Sequence, residues 1–356
     1  MSDLIEFVLG MPEMRAAVLV EFGKIELREA PDPEPSGSEA SVEVKACGLC
    51  QTDNIGYLGA RPDLKLPTIL GHEIAGVVEE TGDDVVSFSP GDEVVVSPVV
   101  PCGRCRFCRL GLLNHCKNGI AIGGEGQPQI VDGGFADYVL VPDGVLYPKP
   151  ASVSFESAAL TEPLGCAYKG LIEFSQLRLG EDVVIIGSGT TGLMLSMVGM
   201  AAGAGKLAVI DLVKERLEVA RGVGVEHVIN SSEVDPYEAV YDLMPDGPDV
   251  VVESAGSLDA ARLAMKLARR TTRINMFGVI VPGEIGISPK EVHFTEIQID
   301  ASFSITPRAM MKSIKLMEDG LIDPGRTITH TFSLEEIDSA FEAMNLPNRV
   351  TVMVRP

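Results

Sequence analysis

The chain has 356 residues, 46% of them hydrophobic and 22% charged, with 29 Lys and Arg against 51 Asp and Glu and a formal net charge of -22. That length exceeds the usual reach of one hydrophobic core, so two domains are expected, and the balance is that of a compact globule rather than a disordered chain. The excess acid repels nucleic-acid backbone and anionic lipid, and no stretch approaches the ~20 apolar residues that span a bilayer.

The start, Met1-Ser2-Asp3-Leu4-Ile5-Glu6, carries acid where a secretory signal carries Lys or Arg, so a cytoplasmic protein is expected. Residues 1–13 read as an extension ahead of a first strand over 15–22. Short strands follow over 41–46, 74–79, 93–97 and 136–141, with a loop over 30–38 and another punctuated by glycines at 123, 124, 126, 133 and 134. From 164 to 302 the rhythm becomes buried strands alternating with helices. Six strands (183–186, 207–211, 227–229, 250–253, 273–277 and 297–301) predict an α/β, doubly wound parallel sheet. The last fifty residues hold helical patterns over 307–319 and 333–345 and a strand over 350–354. Ser333 with Glu336 before Ile337 is a capping-box signature. The expected organisation is a mainly β domain over 1–163, a doubly wound domain over 164–302, and a return to the first domain over 303–356.

Gly187-Ser188-Gly189-Thr190-Thr191-Gly192 lies between an apolar strand and the helical run 193–202. Glycines there let the backbone approach a pyrophosphate at a helix N-terminus. Asp211, 24 residues after Gly187, is placed to accept hydrogen bonds from ribose hydroxyls and to repel the extra phosphate of NADP, so NAD is expected over NADP. Arg216, nearby, can soften that preference, and a solvated surface role is the plainer reading.

Seven cysteines occur, and Cys102, Cys105, Cys108 and Cys116 crowd into fifteen residues. Four thiolates at this spacing suit a closed, tetrahedral structural zinc in a lobe over 97–119. A zinc-finger interaction module and a redox cluster are the weaker readings. Cys50 and His72, with carboxylates, form a ligand set suited to a second, catalytic zinc. Cys47 is read as buried and inert, and Cys166 as a lesser candidate ligand.

The segments Gly48-Leu49-Cys50-Gln51-Thr52-Asp53, Gly71-His72-Glu73, the four-cysteine lobe, Thr161-Glu162-Pro163-Leu164 and the glycine loop occur in one order. In that order the chain resembles zinc-containing medium-chain alcohol dehydrogenases over nearly its whole length. It is more similar to their polyol and sugar, sorbitol dehydrogenase-like branch, where Glu-Pro stands at a site that is cysteine in other members. The resemblance implies a GroES-like catalytic domain beside a Rossmann NAD-binding domain, with two zinc ions per chain. It implies Glu162 or Glu73 as the ligand completing the Cys50 and His72 shell, Thr52 as the hydroxyl that begins proton release, and Asp53 as the group orienting His72. Thr190, Thr191, Ser254, Gly278, Val279 and Phe303 fall where family members meet the cofactor, and 277–289 resembles the intersubunit strand of a homodimer or homotetramer.

Two positions depart from the family. A His that passes the proton to solvent is replaced by Ile55, with Tyr57 a candidate stand-in, and Phe303 is followed by Ser304 rather than Arg. The resemblance implies an enzyme that moves hydride reversibly from a secondary hydroxyl of a polyol, sugar or derivative to NAD, giving a ketone. Simple secondary alcohol or diol and amino-alcohol (threonine-like) dehydrogenases share the same motifs. Outside enzymes, the alternative is a nucleotide-binding regulatory protein that has lost turnover.

Overall fold

The computed structural model describes residues 13–61, 64–124, 126–279 and 283–356. The extension before Glu13 lies outside them. The chain forms two compact units, one of residues up to Leu160 with His330–Asn345 and Val352–Pro356, the other of Thr161–Thr329 with Leu346–Thr351. Residues 303–329, which the sequence groups with the return, pack with the second unit. The reason is local: Gly165, on helix Thr161–Tyr168, lets Ile305 come close enough that a Cβ would meet its Cδ1 at 2.4 Å.

The first unit is mainly β. Strands Leu146–Pro148, Glu93–Val96, Glu73–Thr81, Glu39–Leu49, Thr351–Arg355 and Ile328–Ser333 lie in that order in a seven-stranded sheet, and Tyr138–Pro142 also pairs with Glu39–Leu49. Its core includes Val42, Val44, Ile74, Val94, Val96, Phe135 and Phe341, whose alternation along the strands gives the sheet one apolar face. Glu13–Glu21 pairs with Lys24–Pro31, so the loop expected from residue 30 begins only after Pro31. In the antiparallel register of Glu39–Leu49 with Glu73–Thr81, Gly48 lies opposite Glu73. That pairing brings Cys50, just past the end of one strand, to the start of the other.

In the second unit six strands run parallel in the order His227–Asn230, Leu207–Asp211, Val183–Ile186, Val250–Glu253, Arg273–Met276 and Gln298–Asp300. Val183, Val184, Ile185, Val250, Val251 and Val252 are all fully buried, as a parallel sheet covered by helices on both faces requires. The strand order reverses beside Val183–Ile186, the position where doubly wound sheets open a ligand crevice. Helix Pro307–Glu318 and a final capping box appear as expected, although the first turn after Ser333 is a 3-10 turn over Leu334–Glu336. Among the described residues no helix is long and apolar enough to cross a membrane.

Candidate metal and dinucleotide sites

Cys50 is the N-cap of helix Gln51–Tyr57, and His72 and Glu73 follow the left-handed Gly71, whose φ is 95°. One ligand atom each from Cys50, His72 and Glu73 lies within 4.8 Å of the others. Asp53, fully buried, holds the group together: its Oδ2 accepts from the Cys50 N–H at 2.9 Å, and its Oδ1 from the Gly71 N–H and His72 Nδ1, both at 3.3 Å. With Nδ1 so engaged, Nε2 is the ring nitrogen left for a metal. Burial acts to depress the His72 pKa, but the Asp53 carboxylate and its hydrogen bond raise it well above the usual imidazole range. Burial pushes the Cys50 thiol up, against the His72 ring, which lowers it.

Gly48 is the residue here that sequence reasoning missed. A Cβ on it would stand 1.9 Å from Glu73 Oε2, so only glycine leaves the carboxylate where it is. Thr52 Oγ1 is buried with no hydrogen-bond partner among the described residues, an unsatisfied hydroxyl two residues from Cys50. Such a group normally has a partner, and a bound ligand would supply one. Tyr57 is engaged elsewhere, its hydroxyl donating to the Gly23 carbonyl at 2.8 Å. Cys47 is buried, with its thiol pushed well up by desolvation. Glu162 belongs to the second unit, on helix Thr161–Tyr168, where its Oε1 accepts from the Cys166 thiol at 3.2 Å.

The ligand atoms of Cys102, Cys105, Cys108 and Cys116 also lie within 4.8 Å of one another. The Cys102 and Asn118 N–H groups donate to Cys116 Sγ at 3.2 and 3.4 Å. The Cys108 and Lys117 N–H groups bring the Cys105 thiol down to about 6, whereas burial and neighbouring thiols push Cys108 up to about 12. Backbone donors aimed at sulfur suit a thiolate cluster around a divalent ion. All seven cysteines are free of disulfides.

The three glycines of the loop differ in their surroundings within the second unit. Gly187 has φ 106°, Gly189 has nothing within 4 Å of an added Cβ, and a Cβ on Gly192 would meet the Gly187 carbonyl at 1.9 Å. The first glycine makes the turn, the second leaves the start of the helix open, and the third lets helix pack on strand. Helix Thr190–Ala201 begins inside the loop, three residues before the expected start, with no side-chain cap on its first amides. Asp211 ends its strand and accepts from Ser188 N–H and Oγ–H at 2.7 and 2.9 Å. Thr190 Oγ1 donates to the Val350 carbonyl at 2.8 Å, and Ser254 Oγ to that of Ile186 at 2.9 Å, so both hydroxyls brace the loop. Thr191 is the second residue of the helix, and Arg216 lies on helix Lys214–Gly222. A Cβ on Gly278 would stand 2.5 Å from Glu253 Oε2, Val279 is exposed, and the Phe303 carbonyl accepts from buried Lys169 at 2.6 Å. The described part of 277–289 forms no strand, and 280–282 lie outside the described residues.

Residues 36–151 match the alcohol dehydrogenase GroES-like domain, and residues 190–319 the zinc-binding dehydrogenase family. The chain is 33% identical to a sorbitol dehydrogenase of Bacillus subtilis, over 96% of this chain and 97% of that one. It is 31% identical to an L-threonine 3-dehydrogenase of Anaeromyxobacter, over 89% and 92%. A solved structure of a candidate zinc-binding dehydrogenase from Sinorhizobium meliloti, bound to NADP, superposes with a TM-score of 0.91 at 32% identity, covering 97% of this chain and all of that one.

Proposed function

We propose, for a chain that belongs to the zinc-binding medium-chain alcohol dehydrogenase family, the reversible transfer of hydride from a secondary hydroxyl of a polyol, sugar or derivative to NAD, giving a ketone. The observation that carries this reading is the Cys50, His72 and Glu73 group with the unpartnered Thr52 hydroxyl next to it in sequence. A purely regulatory nucleotide binder has no use for that set.

The donors fit the metals. Four thiolates close the shell of one zinc, and thiolate, imidazole and carboxylate hold a second while leaving a position for substrate. Glu73 serves as the third ligand, and Glu162 is the candidate to exchange with it. Bound zinc supplies the Lewis acidity that brings an alcohol's pKa from about 16 towards neutrality, and bound NAD supplies the hydride acceptor. Asp53 holds the His72 ring with Nε2 outward, a type of support whose loss typically weakens metal binding ~10–100-fold. Thr52 Oγ1 would hydrogen-bond the substrate hydroxyl and begin the release of its proton, since Ile55 cannot titrate and Tyr57 is tied to Gly23. Gly189 would admit the pyrophosphate, Asp211 would receive the adenosine ribose, and Gly278, Val279 and Phe303 would hold the nicotinamide end. Arg216, on the helix that follows Asp211, would contribute to holding the same dinucleotide. The active assembly is a homodimer or homotetramer, for which solution scattering from a monodisperse monomer is the contrary result.

Glu162-Pro163 and the sorbitol dehydrogenase likeness favour a polyol or sugar. The likeness to L-threonine 3-dehydrogenase supports an amino alcohol as the second reading. NAD reduction across polyols, sugars, simple secondary alcohols, diols and L-threonine separates them. The proposal expects the highest kcat/KM in the polyol and sugar group, and a clear preference for L-threonine would replace it with the second reading.

A further inference from the structure

We propose that Ser188 sets how sharply this protein separates NAD from NADP, by holding one of the acceptor positions that Asp211 would otherwise offer to the ribose. The proposal rests on the dinucleotide reading of the glycine loop.

An ionised carboxylate has about four lone-pair positions. On Asp211, Oδ2 accepts from both the backbone N–H and the hydroxyl of Ser188, at 2.7 and 2.9 Å, and Oδ1 accepts from the Val213 N–H at 2.9 Å. Oδ2 is therefore filled, and Oδ1 keeps one position. The adenosine ribose of NAD presents two vicinal hydroxyls, and a carboxylate meets both only with two free acceptors. The two backbone donors are fixed by the turn, so the Ser188 hydroxyl is the removable competitor. Ser188 is fully enclosed, which keeps water from taking over its role.

Three donors on one carboxylate also offset the negative charge that excludes a 2′-phosphate. Asp211 thereby loses part of both its attraction for NAD and its repulsion of NADP. The site thus prefers NAD by a narrow margin, and serine in the second loop position is what keeps the margin narrow.

Calorimetric titration of the zinc-loaded protein with NADH and, separately, NADPH tests this on the wild type and S188A. S188A tightens NADH binding about tenfold, the effect of one regained hydrogen bond to a charged group, and leaves NADPH unchanged or weaker. If S188A shifts both dinucleotides by one factor, or weakens NADH, the hydroxyl merely props the loop and the proposal falls. Wild-type protein that binds neither dinucleotide overturns the underlying reading as well, and that outcome is visible before any variant is made.

Discussion

Replacing Gly48 by alanine is the sharpest perturbation of the Cys50, His72 and Glu73 group, because it adds one methyl and removes no donor. The new Cβ would stand 1.9 Å from Glu73 Oε2, 3.0 Å from its Cδ and 3.1 Å from its Cβ. Those separations are far inside van der Waals contact, and Gly48 and Glu73 are register partners in one sheet, so the strand cannot slide away from the clash. The carboxylate must swing out of the group. Overpacking of this kind costs about 1–3 kcal/mol of stability. Loss of a charged ligand should weaken the second zinc by at least about tenfold, as removal of metal-supporting groups commonly does. Metal analysis after graded chelator treatment reads the two sites separately. G48A should retain one tightly held zinc per chain, that of the cysteine lobe, while the other leaves at lower chelator concentration than in wild type. E73Q should behave alike. G48A holding both ions as tightly as wild type would refute Glu73 as a resting ligand and shift the role to Glu162.

Three further outcomes are expected. T52A should lower kcat by about 10²–10⁴-fold, the usual contribution of a positioned proton acceptor, with NADH affinity unchanged in a direct titration; kcat within threefold of wild type would remove Thr52 from the chemistry. C116S should bind one zinc fewer and melt several degrees lower by calorimetry, because a closed thiolate site contributes to folding, and an unchanged zinc count would contradict the four-cysteine assignment. D300N should gain stability relative to wild type as pH rises from 4 to 7. Burial raises the Asp300 carboxyl to about 6 despite hydrogen bonds from Ser175 and Asn275. A folded-state pKa above the unfolded one favours folding below about 4, and that contribution is lost as pH climbs through 6. Urea melts of both proteins giving a constant difference across that range would contradict the shift.

What could be read from sequence follows physical locality. The parallel strands Val183–Ile186 and Val250–Glu253 are unbroken apolar runs because helices cover both faces, so their burial is written into composition. The zinc groups and the glycine loop are legible because their chemistry needs fixed residue types at short spacing. Strand Lys24–Pro31 was not legible: it carries Lys24, Glu26, Arg28 and Glu29, and only Ile25 is buried. Its pairing with Glu13–Glu21, rather than its own pattern, makes it a strand. The contact of Gly48 with Glu73 depends on a register between residues far apart in the chain, and that of Ser188 with Asp211 on two strands lying side by side. Neither has a local signature, although each involves a residue beside a recognisable motif. Tyr57 illustrates the converse, since a position suited to proton transfer by sequence is occupied by a hydroxyl bonded to Gly23 and a ring packed 4.7 Å from Phe341.

The central claim, that the Cys50 and His72 centre makes this protein a zinc-dependent, NAD-linked dehydrogenase, is tested most directly by initial rates of NAD reduction on the best secondary alcohol before and after selective removal of the more labile zinc, and again after zinc is restored. The account predicts that turnover disappears with that one ion while the fold persists, and returns with its replacement. Turnover that survives with only the cysteine-lobe zinc in place would contradict it.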